Sequence, residues 1–439
     1  MEEPLRTCRF AWSSVAVVFL CLSPSRALAQ TPDVETVRQE IGQLRKELAD
    51  IQKRYDDRIA ALEARLGAPP AVPSAPAGPD QTTVPAAEVP PGAAGAGGPT
   101  GSLPIYGAAS AASKIFNPDI AVIGDFLGAA GPNEVNPSPA LELHEAETSF
   151  QAIVDPYARA DFFVAFGQEG AEVEEGFITF PAVPGGLLVK VGKTRAAFGK
   201  VNMLHNHLLS WTDRPLVTNN LVGGEEGISD AGISVARLIP NPWIFLEATG
   251  EVYRGASELF NSSKRGDLSY VGHLRAYYDV TENANIDLGG SYARGHNDAG
   301  LVDDVDVGRF VTDLWGIDAT VRWRPLQRAI YRSFLGRSEV IWSRRDQFGG
   351  PQRSVGYYAS GDYQFGRRWF AGVRFDRSDR ADDASLRDIG QALTLTYWPS
   401  EFSQIRGQYR RIRYAEESTA HELLFQFLFS IGAHGAHPF

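Results

Sequence analysis

Trp315-Gly316-Ile317-Asp318-Ala319-Thr320-Val321-Arg322-Trp323 decides the fold. Successive side chains of a β-strand point to opposite faces. Trp315, Ile317, Ala319, Val321 and Trp323 therefore share one apolar face, and Gly316, Asp318, Thr320 and Arg322 share a polar one. The same period of two recurs in Trp369, Ala371, Val373 and Phe375, set against Phe370, Gly372, Arg374 and Asp376. It recurs again near the end of the chain, where Leu423, Phe425, Phe427, Phe429 and Ile431 lie opposite Glu422, Gln426 and Ser430. Strict alternation over this length predicts strands with one apolar face.

The connections separate a membrane barrel from a soluble sandwich. Asp155-Pro156, Val183-Pro184-Gly185-Gly186, Pro240-Asn241-Pro242, Thr281-Glu282-Asn283 and Gly366-Arg367 read as tight turns. Longer polar segments lie between them, at 255–267, 295–309 and 376–385. Short turns at one end and long loops at the other characterise transmembrane antiparallel up-and-down β-barrels. Trp243, Trp315, Trp323, Trp342, Trp369, Tyr397 and Trp398 sit where aromatic girdles would meet the two membrane interfaces. Counting from the turns gives about sixteen strands, an even number as bacterial barrels usually have. The barrel is expected over 115–439, all-β, with the last strand and Phe439 as the signal for the barrel-assembly machinery.

Three zones precede it. Arg6 and Arg9, an apolar run from Phe10 to Leu22, and Ala27-Leu28-Ala29 predict a secretory signal peptide over 1–29. Leu20 stands where a lipoprotein site needs a small residue before Cys21, so lipidation is not expected. Cys8 and Cys21, the two cysteines, both lie in this signal, and no disulfide framework is expected in the exported chain. Residues 30–67 carry a coiled-coil seam: Val34, Val37, Ile41, Leu44, Leu48, Ile51 and Tyr55, then a stutter before Ile59, Leu62 and Leu66. One short helix of this kind is marginal alone. Self-association as a homotrimer in the periplasm is the expectation. Residues 68–114, rich in Pro, Ala and Gly, read as a disordered linker.

Composition narrows the function. The 439 residues are 44% hydrophobic and 22% charged, ordinary values that a membrane barrel shares because its two faces average out. A net charge of −11 argues against nucleic-acid binding. No G-x-S-x-G or H-E-x-x-H occurs, and Gly192-Lys193-Thr194 lacks the leading glycine of a P-loop because Leu187 takes that place. No enzyme and no cofactor is expected. His205-x-His207 and His434-x-x-His437 offer only two imidazoles each, and no cysteine remains to complete a metal site. These histidines are read as solvent-exposed. Alternation places Glu145, Glu147, Arg159, Asp161, Lys190, Glu247, Glu251, His273, Arg275, Asp287, Asp318, Arg322, Arg374, Asp376, Arg406 and Arg410 toward the lumen.

Phe116-Asn117-Pro118-Asp119-Ile120, Ile123-Gly124-Asp125-Phe126, Val191-Gly192-Lys193-Thr194-Arg195-Ala196-Ala197-Phe198-Gly199, Asp213-Arg214-Pro215 and the segment from Phe427 to His437 together resemble a family of Gram-negative outer-membrane porin-like proteins. The family is similar in layout to phosphate-selective porins. Some members carry the description zinc-regulated, TonB-dependent receptor. This chain departs from that description: a coiled coil and a linker stand where such receptors have a plug domain and an energy-coupling box. Roughly 325 residues also fall short of a 22-stranded barrel. In trimeric general porins the third loop commonly folds into the barrel. The resemblance makes the long interruption between Phe198 and Ala231 the constriction candidate, with His205, His207, Trp211, Asp213, Arg214, Glu225 and Glu226 as its residues. Lys190, Asp318, Arg322, Arg374, Asp376, Arg406 and Arg410 would line the passage around it. Gly199, Gly223, Gly224 and Gly227 are candidate hinges. The expected function is passive diffusion of small hydrophilic solutes or ions across the outer membrane, with the coiled coil in the periplasm. A structural tether built on the coiled coil and a gated metal (zinc) uptake channel remain as alternatives.

Overall fold

The computed structural model describes residues 118–432, apart from 169, 263 and 304. The signal, the coiled coil, the linker and the His434-x-x-His437 tail lie outside the described residues. The strands are β1 (Asp119–Ala130), β2 (Leu141–Asp155), β3 (Ala158–Gly167), β4 (Gly170–Val183), β5 (Leu187–Arg195), β6 (Ser229–Leu238), β7 (Phe245–Tyr253), β8 (Ser269–Thr281) and β9 (Ala284–His296). A two-residue pair, β10 (Leu301–Val302) and β11 (Val305–Asp306), follows in a loop. Then come β12 (Val311–Trp323), β13 (Ser333–Arg345), β14 (Gln352–Gly366), β15 (Trp369–Asp379), β16 (Arg387–Ser400), β17 (Ser403–Arg413) and β18 (Thr419–Gly432). A 3-10 turn (Asn206–Leu208) and a short α-helix, α1 (Leu216–Leu221), interrupt the long loop after β5.

Sixteen of these strands form a closed antiparallel barrel in which each pairs with its neighbours in sequence. β1 closes it against β18, from Ala121 opposite Gly432 to Ala130 opposite Leu423. Closure is a physical requirement, because lipid supplies no partner for an edge N–H or C=O. The strands run from nine to fifteen residues, long enough to cross a bilayer when tilted. The tight turns expected from sequence all connect strands at one end. The other end carries the longer loops, among them the segment holding β10 and β11.

The partition of side chains is inverted relative to a soluble protein. Ile317, Val321, Val373, Leu393, Leu395, Leu423 and Phe425 are exposed on the outer face, whereas Asp318, Thr320, Arg374, Asp376, Gln404, Arg406, Gln408 and Gln426 are buried inside. An apolar exterior around a polar interior is the arrangement of a transmembrane barrel. Aromatics gather at both rims of the outer face. Trp315 pairs with Trp342 and packs beside Tyr292 toward the loop end. Trp369 lies over Tyr397 at 4.6 Å at the turn end. Trp398 departs from the expected girdle. The ladder is irregular just after Tyr397, and Trp398 lines a cavity at the turn end together with Gln404 and Arg406.

Two bulges interrupt the wall near the start of the barrel. Glu147 pairs with Ala165, but Asp125 and Phe126 face Glu145 and Leu143, leaving His144 as an extra residue of β2. Likewise Phe163 and Val164 face Glu175 and Val173, leaving Glu174 as an extra residue of β4. A bulge breaks the strict alternation and re-aims the side chains around it.

Candidate functional site: the loop inside the barrel

The loop between β5 and β6, residues 196–228, turns into the lumen and crosses it. The motif from Val191 to Gly199 makes the entry. Arg195 donates from Nη1 to the carbonyls of Glu225 (2.6 Å) and Glu226 (3.4 Å), and Ala196 N–H donates to Ile228 O at 2.8 Å. Asn202 joins the two legs of the loop by donating to Ala196 O and Ile228 O and accepting from Ile228 N–H. The chain therefore leaves and re-enters the wall side by side. Gly199 has φ +61°, and a Cβ there would stand 2.7 Å from a Glu339 oxygen. Gly227 has φ +58°, and its Cβ would collide with Asn202 Oδ1. Both positions need glycine for conformation and for space.

Arg214 folds the loop on itself. Its guanidinium donates to Val201 O (3.0 Å), Leu204 O (2.7 Å) and Asn206 Oδ1 (3.0 Å). Burial pulls its pKa down to about 10, with Arg195 adding to the effect. Arg214 is thus a strut within the loop and does not face open water.

Asp213 makes the contact with the far wall. Its carboxylate accepts from Arg374 Nη2 at 3.0 Å, from Arg410 Nη1 at 3.1 Å and from Gln408 Nε2 at 2.6 Å. Burial alone would raise the carboxyl, but Arg374 and Arg410 outweigh it and hold its pKa at about 2. Each arginine has a second acid: Asp376 for Arg374 (2.8 Å) and Glu422 for Arg410 (2.6 Å). Leu216 N–H donates to Asp376, and Asn220 donates to Asp388 on β16.

An apolar cluster forms within the lumen. Trp211 is 0% exposed, with Tyr358 edge-on at 5.4 Å and the Arg374 guanidinium over its ring at 4.9 Å. Phe198, Val201, Val217 and Leu221 from the loop join Tyr253, Leu314, Ile341 and Tyr358 from the wall. Trp211 is therefore a core residue and lines no open water path. On a third side, Gly199 N–H donates to Ser291, Lys200 Nζ to Asp287 (3.0 Å), and Lys200 N–H and Val201 N–H both to Glu339 (2.8 Å each).

His205 and His207 are buried, not solvent-exposed as expected of an incomplete pair of imidazoles. They meet the wall nearest the start of the barrel. His205 Nδ1 lies 2.8 Å from Glu147 and 2.5 Å from Glu174, and its Nε2 lies 2.9 Å from Glu175. Burial opposes a charged imidazole, yet the three carboxylates raise its pKa well above the usual histidine value. His207 Nδ1 lies 3.5 Å from Glu147. Glu225, at the loop's return, pairs with the bulged His144 at 3.5 Å. Glu226 contributes its carbonyl to Arg195.

The wall candidates have separate settings. Lys190 lies over the Phe177 ring at 4.7 Å. Asp318 is buried on β12, over Gly289, where a Cβ would collide with it. Arg322 points inward near the turn end of the same strand. Arg406 donates to Thr396, Gln404 and Gln426. Beneath the loop, a cavity of about 390 Å³ is lined by Arg337, Asp362, Thr396, Gln404 and Arg406 and roofed by His207 to Ser210. Sequence reading missed Glu174, Glu175, Asn202, Glu339 and Gln408. Glu339 and Gln408 occupy inward positions of alternating strands and were legible there. Glu174 and Glu175 were not, because consecutive residues cannot both point inward without a bulge.

Comparison with known proteins agrees with this architecture. A protein of Aquifex aeolicus (strain VF5), described as uncharacterized, is 30% identical over 398 residues, covering 77% of this chain and 83% of the relative. The chain belongs to the same family as this Aquifex protein. No family model matches it. Among solved structures, the anion-selective porin of Comamonas acidovorans shares the fold with a TM-score of 0.50 at 11% identity, over 72% of this chain and 99% of that one. The channel DcaP of Acinetobacter baumannii aligns with a TM-score of 0.46 at 12% identity, over 72% and 96%. The zinc-receptor description has no counterpart among these.

Proposed function

We propose that this member of the Aquifex protein's family is an outer-membrane channel for passive diffusion of ions and small hydrophilic solutes, narrowed by its third loop. The observation that carries the reading is the loop itself. An unobstructed sixteen-stranded barrel leaves a wide aqueous channel. Here residues 196–228 reach across it and are fastened to β2, β4, β9, β13, β15, β16 and β17. The acids of β2 and β4, and Arg337, Arg374, Arg406 and Arg410 of β13, β15 and β17 with their partners Asp213, Asp376 and Glu422, line the lumen with charges of both signs. Charges of opposite sign across a narrow passage set up a transverse field that favours polar solutes. The solute-sized cavity below the loop supports entry from the turn side.

In this reading the signal peptide delivers the chain to the envelope, the barrel-assembly machinery inserts it, and the coiled coil gathers three copies on the periplasmic side. No enzymatic role is assigned.

The test is single-channel conductance of the refolded protein in a planar bilayer under a salt gradient. Small discrete steps that grow several-fold when residues 203–224 are replaced by a short glycine-serine link support the channel. A folded barrel that shows no steps with or without the loop refutes it.

A further inference from the structure

Glu147, Glu174 and His205 form a buried group whose ligand atoms all lie within 4.8 Å of one another. Glu147 is 1% exposed and His205 3%. Two carboxylate oxygens converge on one nitrogen, His205 Nδ1, which can carry only one proton. That proton can satisfy one of them. The other oxygen of Glu147, Oε1, is buried without a hydrogen-bond partner among the described residues. A buried carboxylate left in that state is costly.

The surroundings follow the logic of a metal centre. His205 Nε2 lies 2.9 Å from Glu175 Oε2. With Glu175 accepting the Nε2 proton, an ion that displaces the Nδ1 proton to solvent meets a lone pair directed at Glu147 and Glu174, as in carboxylate–histidine–metal units. His207 Nδ1, 3.5 Å from Glu147 Oε2, supplies a fourth donor, and seating the ion draws the Glu147 and Glu174 carboxylates back from His205 Nδ1, where they now stand at 2.8 and 2.5 Å. Four carboxylates, Glu145, Glu147, Glu174 and Glu175, surround the two imidazoles, and Arg195 lies 3.5 Å from Glu174. This excess of negative charge suits a dication.

We propose that Glu147, Glu174 and His205 bind one divalent transition-metal ion, with His207 as the fourth ligand, and that the ion clips the inserted loop to the barrel wall. Mixed imidazole and carboxylate donors favour zinc and its first-row neighbours over calcium or magnesium, which take oxygen alone. The two glutamates come from β2 and β4 and the histidines from the loop. An ion bridging them ties the loop to strands on both sides of β3. The inference goes beyond the channel reading, since it is measured by binding and holds whether or not the lumen conducts.

The experiment uses the full exported chain refolded in detergent, stripped with a chelator, with His434 and His437 replaced by alanine to remove the tail as a competing site. Titration with Zn²⁺ by calorimetry and with Co²⁺ by visible absorption is expected to give one equivalent and a cobalt spectrum with imidazole nitrogen ligation. Glu147→Gln combined with His205→Gln abolishes it. Glu175→Gln keeps the stoichiometry and weakens affinity about 10- to 100-fold, the usual cost of losing the group that orients a ligand. Because the paired variant could fail to fold, heat-modifiable migration is checked for each protein. No saturable binding by either ion to the folded parent overturns the proposal, as does binding unchanged in folded Glu175→Gln and Glu147→Gln.

Discussion

Replacing Asp213 by alanine should release the far leg of the inserted loop. Its carboxylate meets two guanidiniums and one amide at 2.6–3.1 Å. Breaking a buried ion pair usually costs about 3–5 kcal/mol, because the surviving charge is left alone. Here Arg374 keeps Asp376 and Arg410 keeps Glu422, so the loss falls below that range. Proton linkage gives an independent figure. The carboxyl lies at about 2 against an ordinary 3.8. At about 1.4 kcal/mol per pH unit, the difference is worth about 2–2.5 kcal/mol of docking. The sign is that of a depressed acid: the contribution is complete above pH ~4 and disappears as pH falls toward ~2. A loss of this size shifts the docked-to-released ratio by about 30- to 60-fold. Hydrogen exchange over residues 211–222, read by mass spectrometry at neutral pH, should lose protection by that factor while β12 to β18 keep theirs. The parent protein should show the same local loss as pH is lowered from 4 to 2, after correction for intrinsic exchange. Protection of the loop changed by less than threefold, or lost equally in the strands, would refute the reasoning.

Other substitutions probe separate parts of the structure. Trp211→Ala removes a fully buried indole from the lumenal cluster and should destabilise the loop by about 3–5 kcal/mol, raising single-channel conductance; an unchanged conductance would mean that the indole does not obstruct the passage. Gly199→Ala places a Cβ against Glu339 at φ +61°, and should cost about 1–3 kcal/mol in urea unfolding from vesicles. Val373→Arg puts a charge on the lipid face in mid-strand and should lower folding stability in bilayers by about 2–4 kcal/mol, and a neutral result would contradict the outward placement of that residue.

The loop also accounts for two motifs by which the sequence resembles porin-like proteins. Val191 to Gly199 is the end of β5 and the inward turn after it. Asp213-Arg214-Pro215 is the junction with the far wall: Asp213 reaches two arginines, Arg214 braces the loop, and Pro215 precedes α1. These two segments thus hold the inserted loop in place.

Much of the architecture was legible in the period of two. Trp315 to Trp323, Trp369 to Asp376 and Glu422 to Ile431 each declare a lipid face and an inner face, because strand geometry allows no other assignment. Turn chemistry at Asp155-Pro156 or Thr281-Glu282-Asn283 then located the hairpins, and the count of sixteen resulted from them. These are local properties, read within a few residues. Placement within the lumen is not local. Asp213 meets Arg374 and Arg410 across some 160 to 200 positions of sequence, and nothing near Asp213 specifies them. Trp398 reads as interfacial from its place at a strand end and Trp211 as pore-lining from the resemblance, yet Trp211 is core and Trp398 lines an inner cavity. Glu174 and Glu175 reach His205 through a bulge opposite Phe163 and Val164, a departure from alternation that no alternating pattern can announce. Strand periodicity together with the turn and loop spacing, all local, determined the barrel. Only the closed barrel, by setting opposite walls at a fixed separation, decided where the third loop would find its partners.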